Sequence, residues 1–162
     1  MESSIRIQLL GGLIAAILII TPVLNGQKPL PLFGTWKLNL AQSKYDAGAP
    51  PYKKSTCRIE TLSDGIRIVY DMVGIRGGIT HLEWDGKLDG QDYPIQGVDE
   101  VLTNAYTRID DFTYDIVIKS DGKRAATSRI SISPHGKSLT TVTTSRNAEG
   151  KTLRSTVVYD RQ

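Results

Sequence analysis

Ile66-Arg67-Ile68-Val69-Tyr70-Asp71-Met72 is the run whose reading decides the fold. Ile66, Ile68, Tyr70 and Met72 share one face and Arg67 and Asp71 the other, the period-two signature of a half-buried strand. Asp64-Gly65 turns the chain before it, and Arg76-Gly77-Gly78 turns it after. On the N-terminal side, Ser55 to Leu62 alternates too, with Cys57, Ile59 and Thr61 opposed by Arg58 and Glu60. On the C-terminal side, Thr80, Leu82, Trp84 and Leu88 oppose His81, Glu83, Asp85 and Lys87. Three consecutive alternating runs with tight turns between them predict antiparallel sheet.

Further downstream the pattern holds. Asp89 to Gly97 reads as a turn, a very short strand and a turn. Val98 to Ile109 is a strand with mixed faces: Val101, Ala105 and Ile109 lie on one side, Leu102, Tyr106 and Arg108 on the other. Asp110-Asp111 breaks it, and Phe112, Tyr114, Ile116 and Ile118 follow on one face. The last strands cover Lys123 to Ser133, Lys137 to Arg146 and Lys151 to Asp160. Asp121-Gly122-Lys123, His135-Gly136-Lys137 and Glu149-Gly150-Lys151 recur between them. Glycine at such tips supplies the positive φ of a tight or bulged hairpin, and Asp85-Gly86-Lys87 is a fourth copy, either a turn or a bulge inside a strand. Upstream, Phe33 to Leu40 is the first strand. Ala41 to Lys54, with Gly48 and Pro50-Pro51, reads as a loop with room for one helical turn near Gln42 to Tyr45. The expected fold is all-β: an antiparallel up-and-down β-barrel of about 8–10 strands, since closing the meander removes two exposed edges.

The sequence of 162 residues is enough for one domain with a core. Its hydrophobic fraction of 40% and charged fraction of 23% lie in the globular range. The net charge is +3, but Lys and Arg are scattered along strands and turns, which argues against a nucleic-acid partner. Cys57 is the one cysteine, so no internal disulfide forms, and it reads as a small buried hydrophobe. Leu9 to Ile20 is an unbroken non-polar run, shorter than the roughly 20 residues that span a bilayer. With Thr21-Pro22 and Asn25-Gly26 behind it, residues 1–26 read as a signal peptide or N-terminal anchor. Residues 27–162 are then the barrel domain, exported to the periplasm or beyond, with a membrane contact only through an uncleaved leader. Lys28-Pro29-Leu30-Pro31 is an extended joint between the two.

Gly34-Thr35-Trp36-Lys37-Leu38 at the start of this meander, and Val158-Tyr159-Asp160-Arg161 at its end, resemble the marks of the calycin superfamily of lipocalins and fatty-acid-binding proteins. The stretch from Phe33 to Gln162 also resembles small exported bacterial lipocalin-like proteins, through Asp89-Gly90-Gln91-Asp92-Tyr93-Pro94 and Arg108-Ile109-Asp110-Asp111. The resemblance implies that Gly34 and Trp36 sit at the closed end of the barrel. It also implies an arginine over Trp36, for which Arg154 and Arg161 are the two candidates. Two family features are missing. There is no room for a helical lid after the first strand, and the Arg-x-Tyr pair that holds a fatty-acid carboxylate reads Val157-Val158-Tyr159 here.

The inward parity nominates Tyr70, Met72, Trp84, Tyr114 and Tyr159, with Leu82 and Val157, as the wall of an interior that is either filled or holds one small ligand. Arg108 and Arg129 join them as candidates if they face inward, because a buried cation needs an acidic partner or an anionic ligand. His81 and His135 have no metal-ligand spacing around them. No nucleophile elbow, P-loop or dinucleotide fingerprint occurs, so no catalytic residue, metal or cofactor is expected. The expectation is a barrel binding a small hydrophobic or amphipathic molecule, ahead of a filled interaction module and, third, an isomerase-type enzyme.

Overall fold

A computed structural model describes residues 29–162; the leader expected over residues 1–26 lies outside them. Ten strands follow in order: β1 (Gly34–Tyr45), β2 (Tyr52–Leu62), β3 (Gly65–Gly74), β4 (Ile79–Gly86), β5 (Tyr93–Gln96), β6 (Leu102–Arg108), β7 (Thr113–Ser120), β8 (Lys123–Ile132), β9 (Ser138–Arg146) and β10 (Thr152–Arg161). Each pairs antiparallel with its sequence neighbours, and β1 pairs with both β2 and β10, so the sheet closes on itself. This is the up-and-down barrel that the alternation predicts. No strand edge is left open along the ring, the arrangement that blocks edge-to-edge aggregation.

The alternating faces do what their parity requires. Ile66, Ile68 and Met72 of β3, Cys57 and Ile59 of β2, Trp84 of β4 and Tyr159 of β10 are buried, while Arg67 faces out and holds Asp85 directly across β3 and β4 with two hydrogen bonds of 2.8 and 2.6 Å. At the β7–β8 hairpin, Asp121 and Gly122 both have positive φ, 49° and 74°, the pair of left-handed residues that a two-residue turn needs.

The expected loop over Ala41 to Lys54 is a correction. β1 runs on to Tyr45 and β2 begins at Tyr52, leaving only a short connection. The helical turn near Gln42 to Tyr45 does not form. The first strand instead bulges: Asn39 pairs with Val158 and Lys44 with Thr156, so four residues of β1 oppose one of β10. Ser43 holds the bulge together by donating to the Asn39 carbonyl (2.7 Å) and accepting from the Val158 amide (3.0 Å). β6 is also shorter than expected, starting at Leu102, because Val98 to Val101 belongs to the preceding loop. Gly86 ends β4 and makes no bulge within it.

Candidate functional site

The two ends of the barrel differ. At one end Leu32 and Trp36 are completely buried, with the indole Nε1 donating to the Leu32 carbonyl (3.0 Å). Arg161 lies over the Trp36 ring at 4.2 Å from its centroid, which decides between the two arginines that the sequence offers. Its guanidinium also donates to the carbonyls of Phe33 (2.8 Å), Pro31 and Gly136. Gly34, at φ 137°, leaves room for it: a Cβ there would collide with Arg161 Nη1. Tyr114 is fully buried nearby in the sequence-distant half of the same cluster, its hydroxyl donating to the Asp111 carbonyl (3.0 Å). Ile59, Ile130, Ile132 and Leu139 belong to the same buried cluster. This end is a plug.

Above the plug the inner wall changes character. Tyr70, Tyr106 and Tyr159 face inward with Cys57 and Ser55, and Cys57 sits directly opposite Tyr70 in the β2–β3 register. The Tyr70 and Tyr159 rings meet edge to face at 6.5 Å, and Ser55 Oγ lies 3.3 Å from the Tyr159 hydroxyl. Trp84 packs on Tyr106 at 4.4 Å and on Tyr93 at 5.8 Å. Burial pushes the Cys57 thiol and the Tyr159 hydroxyl up to about 12. It also raises the Tyr70 and Tyr106 hydroxyls well above their usual range, the latter partly offset by a hydrogen bond with the Asn104 side chain. All four stay protonated and neutral at any ordinary pH.

Two spaces open in this region. A small cavity of about 60 Å³ is lined by Ile68, Tyr70, Leu82, Trp84, Ile95 and Asn104, among others. At the open end a pocket of about 240 Å³ lies between the inward side chains Thr143, Ser145, Leu153 and Ser155 and the Tyr45–Pro51 connection. Larger grooves of about 480 and 400 Å³ run over the β7–β10 surface. Thr127, Arg129 and Arg146 line them together with Ile116, Val117 and Val142.

The candidate residues therefore divide. Tyr70 and Trp84 line the small cavity. Met72 and Tyr159 are buried in the same upper wall. Tyr114 belongs to the plug. Arg108 and Arg129 are corrected: Arg129 points outward and is held by Asp115 across β7 and β8 at 2.7 and 2.8 Å, and Arg108 pairs with Asp111 in the exposed turn after β6. Both find a carboxylate on the surface, so neither contributes a charge to the interior. Sequence reasoning missed Ser55, Asn104, Tyr106 and the mouth residues Tyr45 and Leu153. For Asn104 and Tyr106 the signal was present as parity with Leu102, obscured by the apolar residues on both faces of that strand. His81 lies outside, bridging Asp71 (2.7 Å) and Glu83 (3.0 Å). Among the described residues no group of three or more His, Cys, Asp or Glu is arranged to hold a metal ion.

No protein-family model matches the chain. A search of the curated proteins finds no relative. Among solved structures the chain is similar to the siderocalin Ex-FABP, described as functioning through dual ligand specificities, with 13% identity and a TM-score of 0.36 over 82% of this chain and 71% of that one. A likeness at that score carries no argument about ligand or mechanism, and the fold rests on the closed ring of ten strands itself.

Proposed function

We propose that this chain is a binding barrel that admits a small hydrophobic or amphipathic molecule through the open end, between the Tyr45–Pro51 connection and the ends of β9 and β10. The observation that carries the reading is the mouth pocket of about 240 Å³, walled by Leu153, Tyr45, Ala47, Ala49 and Pro51 beside three inward hydroxyl side chains, with Asp46 and Arg154 also lining it. Apolar walls with a few placed polar groups are the usual makeup of small-molecule sites, whose volumes run from about 300 to 1,000 Å³. The pocket is somewhat smaller than that, so the ligand is small too.

A binding role without catalysis is supported by the chemistry of the interior. Its buried ionisable groups are phenols and a thiol held neutral, and a general base must be deprotonated near the working pH. A second reading, a filled barrel acting as an interaction module, is favoured by one observation: Trp36 and Tyr114 belong to one buried hydrophobic cluster with Ile59, Ile130, Ile132 and Leu139. Export under the direction of residues 1–26 belongs to the same proposal, and the N-terminal sequence of the mature protein tests it.

The binding test is titration with the uncharged dye N-phenyl-1-naphthylamine. A saturable quench of tryptophan fluorescence with dye enhancement is expected, abolished by Leu153→Arg at the mouth. No saturable signal from the folded protein favours the filled module.

A further inference from the structure

We infer that the outward face of β7–β10 is a second binding surface, which takes a polysaccharide bearing carboxylates. It does not depend on what enters the mouth. Lysine and arginine are scattered along the sequence, but the fold sorts them. Residues 113–162, which form β7–β10 and their turns, carry nine Lys and Arg against four Asp and Glu, whereas residues 29–112 carry nine against twelve. One flank of the barrel is therefore basic and draws anions to it. On that flank the two grooves of about 480 and 400 Å³ share Thr127 and Thr144, so they join into one trough. Arg124 and Arg146 line one part of it, Arg129 and Arg154 the other. Register brings them together: Thr144 stands between Thr127 of β8 and Arg154 of β10, and Val142, two residues along β9, lies beside Arg129.

Three of the four arginines have no acid of their own. Among the described residues Arg124, Arg146 and Arg154 form no salt bridge, while Arg129 is held by Asp115. Asp46 meets Arg154 through the backbone instead: its carboxylate accepts from the Arg154 amide (3.0 Å). The kind of anion follows from the rest of the wall. No aromatic side chain lines the trough, so it offers single-stranded nucleic acid no stacking platform. Its branched apolar residues, Ile116, Val117 and Val142, are at least partly buried, and the large hydrophobics left exposed all precede β7. The flank thus lacks the apolar anchors of a protein hot spot or of an inserted membrane face. The ring is closed, so an acidic peptide cannot add to it as a strand. What the trough does offer is guanidinium forks for carboxylates, with threonine hydroxyls between them that both donate and accept. A chain of acidic sugars uses both. Four arginines and one aspartate along the whole trough suit one charge per sugar, a polyuronate, better than a densely sulfated chain.

Four end-labelled octamers, followed by fluorescence polarisation at pH 7.5 in low salt, separate the cases: polymannuronate, maltooctaose, octaglutamate and oligothymidylate. Polymannuronate should bind and maltooctaose should not. Octaglutamate and oligothymidylate should bind at least about 10-fold more weakly than polymannuronate, the worth of one or two hydroxyl contacts. Arg146→Gln and Arg154→Gln should each weaken polymannuronate by about 3- to 10-fold with melting temperature unchanged, and should flatten its salt dependence. Thr127→Val with Thr144→Val, which keeps branched side chains in the strands, should weaken polymannuronate and leave octaglutamate as it was. Arg76→Gln removes the same charge from the β3–β4 turn and should change nothing. Polymannuronate that fails to bind the folded protein overturns the inference, as does octaglutamate or oligothymidylate binding as tightly. So does polymannuronate affinity intact in the threonine variant, or a loss in Arg76→Gln equal to that in Arg154→Gln.

Discussion

Arg161 does three jobs at once, and each depends on a different neighbour. It lies on the Trp36 face, it satisfies carbonyls from the approach to β1 and from the β8–β9 turn, and it fits because residue 34 has no side chain. A cation over an indole contributes about 0.5–2 kcal/mol and a charged hydrogen bond about 1.5–3. Arg161→Ala should therefore lower unfolding free energy by about 3 kcal/mol in urea titrations, with Arg161→Lys restoring only a minor part, since an ammonium has no fork to reach several carbonyls. Gly34→Ala should cost about 1–3 kcal/mol by a separate route, because φ 137° is strained for any side chain and the new methyl displaces the guanidinium. If the two substitutions combined cost no more than Arg161→Ala alone, the arginine is the whole story at this end. A full sum would separate backbone strain from the contact.

At the scale of the strand, the bulge in β1 is where local sequence and tertiary structure disagree. Gln42 to Tyr45 has the composition of a helical turn or loop, and nothing local announces a strand. The pairing that makes it one comes from β10, more than a hundred residues away, through the Ser43 hydroxyl and the Val158 amide. Ser43→Ala leaves that buried amide without an acceptor and should cost about 1–3 kcal/mol. It should also raise hydrogen exchange at Val158 selectively over the neighbouring amides of β10. The legible strands were those whose two faces differ, such as β3, where parity alone put Ile68 in and Arg67 out. β6 was illegible in detail because Ala105, outward by parity, is small enough to be buried beside inward Tyr106. The orientation of Arg129 was hidden for another reason: its partner Asp115 sits on a different strand, and register cannot be read from one chain position. His81 shows the same limit. It lies directly across from Asp71 in β3 and β4, and hydrogen bonds to Asp71 and Glu83 raise its pKa above 6.5. A raised imidazole stabilises the fold below its free value, and that contribution is lost as pH rises through the higher folded value. His81→Asn should erase a small decline in melting temperature above pH 6.5; an identical profile in the variant would show the exposed clamp to be energetically silent, as surface pairs often are.

For the whole molecule, the interior makes a pH prediction larger than any surface pair. Burial raises Cys57 and Tyr159 to about 12 and Tyr70 and Tyr106 above their ordinary 10.0, while the unfolded chain returns all four to free values of 9.0 and 10.0. The sign follows from linkage: between those free values and the folded ones, the unfolded state releases protons that the folded state retains, so stability falls as pH rises. The four groups line one inner wall and cannot ionise singly without placing a charge where no cation answers it. They should therefore ionise with the opening of the barrel. Between about pH 10 and 12, the tyrosinate absorbance of these residues should rise in the same transition that abolishes β-sheet circular dichroism and exposes the Cys57 thiol to a disulfide reagent. Below that range the thiol should stay unreactive in the native protein. Tyr70→Phe or Tyr106→Phe should shift the transition to higher pH, because each removes one proton from the release. Tyrosinate growth from Tyr70 and Tyr106 ahead of the loss of sheet would mean that water already reaches the wall, and with it that the interior tolerates an anion.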